Sequence, residues 1–191
     1  FSVEQLAALS PEQVGAFGAA QVGGLSSTQV GGLASTQVAA LSSSALAAFR
    51  ATQIAGLTPD QVATLTTTQV KGLSLASLSA GQLGAITETQ IAAMATTQLR
   101  GLAATQITAL SDVQVASLSA TQIAKLTTTA ITGFESQDIS GFSASQLGGL
   151  SGTQLDALTS TQLAALSSSQ LGGLSVTQLL GFSANDMGQF D

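Results

Sequence analysis

The sequence predicts an all-α fold, a solenoid of very short helices of about five or six residues, one per eight-residue repeat, around an axial aliphatic core. Three observations predict it. One octad spans nearly the whole chain, each octad opens on residues that start helices, and its two large apolar side chains stand three apart.

Internal periodicity decides the organisation. Nine octads run from Ser2 to Leu73, a five-residue segment follows from Ser74 to Leu78, and fourteen more octads run from Ser79 to Phe190. The chain therefore reads as a single repeat array over residues 1–191, with octads at 2–73, a truncated repeat at 74–78 and octads at 79–190. The fifth position is aliphatic throughout, from Leu6 to Met187, and the eighth is always Leu, Ile, Met or Phe. Gln fills the fourth position in 19 of the 23 octads, the exceptions being Ala45, Ala130, Asp138 and Asp186, so the amide belongs to the unit itself. Ser or Thr is usual at the first position, and Gly or Ala at the seventh.

The unit is clearest at Leu57 to Leu65. Thr58 is the N-cap and Pro59 takes the first helical position, where a missing N–H costs nothing. Asp60 sits at the positive end of the helix dipole, and Gln61 completes a capping box. Leu57 and Val62 have the spacing of a hydrophobic staple. Pro11 and Gln13 repeat the arrangement after Ser10. Val62 and Leu65, with Leu57, Ile107 and Leu110, are predicted core. Gly or Ala at the seventh position suits a left-handed stop and lets neighbouring backbones approach closely.

Other conformations fit poorly. In one continuous helix an octad advances the apolar pair by about 80° beyond two turns, smearing it around the cylinder. In a strand, positions five and eight point to opposite faces, and both prolines remove ladder donors. Broken helices accommodate every position. They are too short to stand alone, so stacking between repeats must stabilise them.

Composition excludes several functions. Only 7% of residues are charged while 45% are hydrophobic, the reverse of a disordered chain. The four cations, Arg50, Lys71, Arg100 and Lys125, are scattered singly in a chain of net charge -6, which argues against nucleic acid as partner. Polar residues interrupt every apolar run long before the ~20 residues of a membrane span, so no transmembrane segment is expected. Phe1 follows neither Met nor a charged region, which reads as a removed leader or a piece of something longer.

No catalytic constellation is visible. The chain has neither Cys nor His, leaving its many hydroxyls without their usual base, so enzymatic activity and cofactors are not expected. Glu135 and Asp138 replace the cap and Gln of one octad; they read as helix-start residues, with a weak calcium site as the alternative. The Gln column reads as structural, capping its own octad and bonding a neighbouring turn, with a ligand-facing ladder as the alternative. Ser74, Leu75 and Leu78 mark a break expected to shift the register or bend the array. The phenylalanines all occupy the eighth position, as core substitutes for Leu.

The run Leu65-Thr66-Thr67-Thr68-Gln69-Val70-Lys71-Gly72-Leu73 resembles the tandem LTxxQVxxL tracts of very large secreted bacterial repeat and adhesin-like proteins. The resemblance covers almost the whole chain and implies an extracellular or cell-surface location. Leu57 to Val62 is also similar to the first helix of TAL-effector DNA-binding repeats. That likeness ends after one helix, because the period here is eight and the charge is wrong for DNA. The expectation is a structural extracellular protein, a rod or filament subunit partnering itself head to tail or laterally. The alternative is a binding module presenting Thr, Ser and Gln to a glycan, another protein or ice.

Overall fold

The computed structural model describes residues 1–188; the eighth-position place expected for Phe190 lies outside the described residues. Among the described residues there are 23 α-helices of four to six residues, one 3₁₀ turn and no strand. The fold is all-α, a solenoid of short helices. By contact the chain forms two compact units, Phe1–Met94 and Ala95–Asp191. In sequence the octads continue across that boundary.

Each octad makes one helix by the same local logic. In the helix Pro59–Ala63, Thr58 is extended (φ -78, ψ 156) and its hydroxyl accepts from the Gln61 N–H. Pro59 occupies the first turn, where its ring is preset and its absent N–H has no intrahelical partner to lose. The N–H of Leu65 then donates to the Val62 carbonyl at 3.2 Å, a tightened last turn that ends the helix. Where the eighth residue itself caps a helix it is extended, as at Leu41 (φ -62, ψ 140) and Phe142 (φ -61, ψ 129). The extended eighth and first residues redirect the chain between helices.

Stacking follows one rule in both units. The helix Pro11–Gly15 packs against Ser35–Ala40 in the first unit, and Ala120–Ile123 packs against Ala144–Gly149 in the second. Within each unit, helices thus meet those three repeats further on. The fifth-position side chains form the innermost column, with Val14, Val30, Ile107 and Ile139 fully enclosed. The eighth-position side chains lie beside them. Phe134 and Phe142, successive eighth residues, meet edge to face with centroids 5.1 Å apart.

One expectation requires correction. No described residue has positive φ, so the helices do not end in a left-handed stop. The helix-ending residues are instead right-handed, as at Gly24 (φ -83, ψ -11). Glycine at the seventh position serves close approach: a Cβ on Gly56 would lie 2.8 Å from the Ser27 Cα, and one on Gly149 would lie 2.9 Å from the Ala120 Cα.

The shortened repeat at Ser74, Leu75 and Leu78 is packed into the first unit. The segment contains a 3₁₀ turn, Leu75–Ser77, and it packs against the helix Ala51–Ile54. Leu75 and Leu78 are buried, 1% and 4% exposed, in the roles of fifth and eighth residues. What is missing is the helix's first turn, positions two to four. The core pair and the slot remain, so the register of later repeats is kept.

Candidate functional site

The residue that distinguishes this octad from a generic helical repeat is its fourth-position glutamine. Gln61 uses its amide fully. Its Oε1 accepts the Thr58 N–H at 2.8 Å, completing the box within its own octad. Its Nε2 donates to the carbonyls of Val30 at 3.0 Å and Leu33 at 2.7 Å, four octads earlier. One side chain thereby ties a helix start to the frayed end of a distant helix, where carbonyls lack intrahelical partners.

The same stitch recurs. Gln37 donates to Leu6 and Leu9, and Gln53 to Val22 and Leu25, in the first unit. Gln154 donates to Ile123 and Leu126, and Gln178 to Leu147 and Leu150, in the second. The carbonyls belong to the fifth and eighth residues, 31 and 28 positions back. Helix packing at three repeats and the amide at four place one turn of each stack between three and four octads.

The ladder also records how the short segment is absorbed. Gln82 donates to Ile54 and Leu57, at separations of 28 and 25. Gln90 donates to Val62 and Leu65 at the same shortened separations. Each is shorter by the three residues that 74–78 lacks, and the acceptors keep their fifth and eighth places.

Thr58, Pro59 and Gln61 sit together at one helix start. Pro11 and Gln13 make another, where Gln13 Oε1 accepts the Ser10 N–H at 2.8 Å. Leu57, Val62 and Leu65 are buried in the first unit, and Ile107 and Leu110 in the second. Gln61 is 1% exposed and Gln53 fully enclosed, so these amides face protein rather than a ligand. Without Gln, Ala45 and Ala130 keep only the hydroxyl half of the box: their side chains accept nothing, and their N–H groups donate to the Ser42 and Thr127 hydroxyls.

Asp138 is the anomalous rung. Its Oδ2 accepts the Glu135 N–H at 2.8 Å, as a Gln Oε1 does, but its second oxygen cannot donate. Burial pushes its carboxyl above the usual range, and repulsion from Asp112 and Glu135 adds to this against the Glu135 N–H. Asp112 accepts a 2.7 Å bond from the Gln137 amide. These residues border an open cavity of about 370 Å³ with Val113 and Phe142. Among the described residues no group of three or more carboxylates or other metal-binding side chains converges. Elsewhere hydroxyls hold carboxylates ionised: the Ser10 hydroxyl lowers Glu12, and the Ser183 hydroxyl lowers Asp186.

Family comparison agrees with this architecture. The ALTTAQ repeat matches residues 1–35, 33–67, 91–128 and 131–168. The chain belongs to the ALTTAQ repeat family. Those six letters correspond to positions seven, eight and one to four of the octad, written Ala-Leu-Thr-Ser-Thr-Gln at Ala157 to Gln162. Each ALTTAQ match extends over more than four octads, enough to include a helix and the glutamine that stitches it. The matches leave out residues 68–90, which contain the shortened segment. No curated protein matches the chain. Among the described residues no helix is long and apolar enough to cross a membrane.

Reading the sequence alone missed one pairing. Arg100 and Lys125 stand singly in the sequence, yet both line one cavity in the second unit. The signal was their separation of 25, the distance at which sixth and seventh positions meet in this fold.

Proposed function

We propose that this ALTTAQ repeat chain is a structural protein, a rod or filament subunit outside a bacterial cell, associating with copies of itself laterally or head to tail. The observation that carries the reading is the use of the octad's characteristic groups. Cap hydroxyls hold helix starts, glutamine amides hold carbonyls of the preceding turn, and the aliphatic pair fills the core. No enzymatic activity belongs to this reading. Self-association is supported by apolar side chains left exposed in the second unit, Val176 at 73% and Leu180 at 81%.

Sedimentation of the purified chain over a wide concentration range, with electron microscopy of the same samples, tests this reading. Concentration-dependent growth into fibres or sheets supports it; a monomer at high concentration without fibres overturns it. The second reading is a binding surface of hydroxyls. Its support is the exposed third-position Thr or Ser, paired with the cap hydroxyl at 3.0 Å in Thr87–Thr89 and Thr159–Thr161. Glycan-array and ice-recrystallisation assays separate it from the structural reading, because a purely structural chain gives neither signal.

A further inference from the structure

We infer that Arg100 and Lys125 form a binding site for a doubly charged oxyanion of the phosphate or sulfate class. The site goes beyond the structural reading, since neither side chain contributes to capping, ladder or core.

Sixth and seventh positions 25 residues apart come into contact in several repeats, while at others, such as Gly23 and Gly141, the space is open. A Cβ on Gly15 would lie 3.4 Å from the Ala40 Cβ, and the Thr108 hydroxyl donates to the Gly133 carbonyl at 2.8 Å. In the sequence every other pair at this spacing includes a Gly or Ala, as in Gly31 with Gly56 and Ala116 with Gly141. Only Arg100 and Lys125 place two large side chains there, and both are cations. Two of the chain's four basic residues are thus brought side by side in a molecule of net charge -6.

Neither residue forms an ion pair among the described residues, and both are exposed. Four of the unit's acids bond other groups: Asp112 the Gln137 amide, Asp138 the Glu135 N–H, Asp156 the Ser183 N–H at 3.1 Å, and Asp186 the Ser183 hydroxyl. Adjacent like charges repel, and a ligand carrying two negative charges removes the repulsion. Arg100 and Lys125 line a concave space of about 350 Å³ with Ala124, Leu126 and Thr127. That space admits a small oxyanion, for which the planar guanidinium offers paired donors and the ammonium a point charge.

The test is a nuclear magnetic resonance titration of the ¹⁵N-labelled chain with inorganic phosphate, sulfate and acetate at constant ionic strength. Saturable shifts at the Arg100 and Lys125 amides are expected with phosphate and sulfate, and weaker ones with acetate. Lys125→Ala should weaken binding about tenfold, and the double variant Arg100→Ala/Lys125→Ala should abolish it. Phosphate should raise the melting temperature of the wild-type chain and leave that of the double variant unmoved. Linear drifts that chloride reproduces, or saturable binding that survives in the double variant, overturn the site.

Discussion

The Gln61 side chain donates to the Leu33 carbonyl at 2.7 Å while accepting the Thr58 N–H at 2.8 Å, joining two octads that lie 28 residues apart. Removing it strands the buried Leu33 carbonyl and the Thr58 N–H together, while the Val30 carbonyl keeps only the Leu33 N–H at 3.2 Å. Gln61→Ala should therefore cost about 2–3 kcal/mol, near the upper range for a buried hydrogen-bonded group. Gln61→Glu should cost more at neutral pH, because an ionised carboxylate would face the Val30 and Leu33 carbonyls. Chemical denaturation of both variants checks the order. A neutral Gln61→Ala would mean that water replaces the amide without loss.

The faces of the helix Pro59–Ala63 give a second contrast. Val62 is fully enclosed, whereas Thr64 is exposed and bonds only the Gln61 carbonyl, at 2.9 Å. Val62→Asp should destabilise by more than about 3 kcal/mol through a buried unpaired charge, and Thr64→Asp by less than about 1 kcal/mol. Thermal melting distinguishes them. Equal losses would contradict the assigned faces.

Much of this fold was legible in the octad because its information is local. Thr58, Pro59 and Gln61 specify a helix start by backbone chemistry alone, and the Leu57, Val62 and Leu65 spacing specifies its buried side. The reach of the Gln61 amide to Val30 and Leu33 was visible only as a bond to some neighbouring turn. Its register depends on how far extended residues such as Leu41 rotate the chain, which no single octad encodes. For the same reason the sequence left two roles for a seventh-position glycine, a left-handed stop and close approach, and Gly56 serves only the second. A glycine that permits a left-handed turn and one that admits Ser27 look alike in sequence, and only the stacked structure separates them.

Glycine substitutions test that distinction. Gly23→Ala introduces a Cβ into open space at the end of the helix Ala19–Gly23, so it should stabilise by about 0.5–1 kcal/mol. Gly56→Val meets the Ser27 backbone instead and should destabilise by several times that amount, since backbone cannot move aside as a side chain does. Melting temperatures moving in opposite directions are expected. Parallel shifts would show that conformational freedom, rather than contact, governs both sites.

The shortened repeat offers a gain-of-stability experiment. Inserting Thr-Thr-Gln between Ser74 and Leu75 restores positions two to four while leaving Leu75 and Leu78 in place. The new amide should reach the Leu46 and Phe49 carbonyls, the acceptors that the four-octad rule assigns to this slot. Stability of the first unit should rise by about 1 kcal/mol, the typical net value of a hydrogen bond or cap. A fall would mean that neighbouring helices have closed over the missing turn.

Asp138 connects the ladder to pH. It occupies a rung where other octads place an amide donor, and burial raises its carboxyl above the ordinary range. A carboxyl raised on folding binds more protons in the native state, so stability falls as pH climbs from the unfolded value through the folded one. The contribution is lost wherever the pH lies above the folded value and the buried group is ionised. Asp138→Gln should therefore stabilise the second unit at neutral pH, both by removing that charge and by donating to the Ile107 and Leu110 carbonyls. Its advantage should shrink as acid protonates Asp138 in the wild-type chain. Glu12 and Asp186, lowered by Ser10 and Ser183, act in the opposite sense and lose their stabilisation on acidification, but they do so equally in both proteins. The difference between the two melting curves thus isolates Asp138. A difference that does not vary across the carboxylate range would show that Asp138 acts only through its missing amide and that its charge carries no cost in the fold.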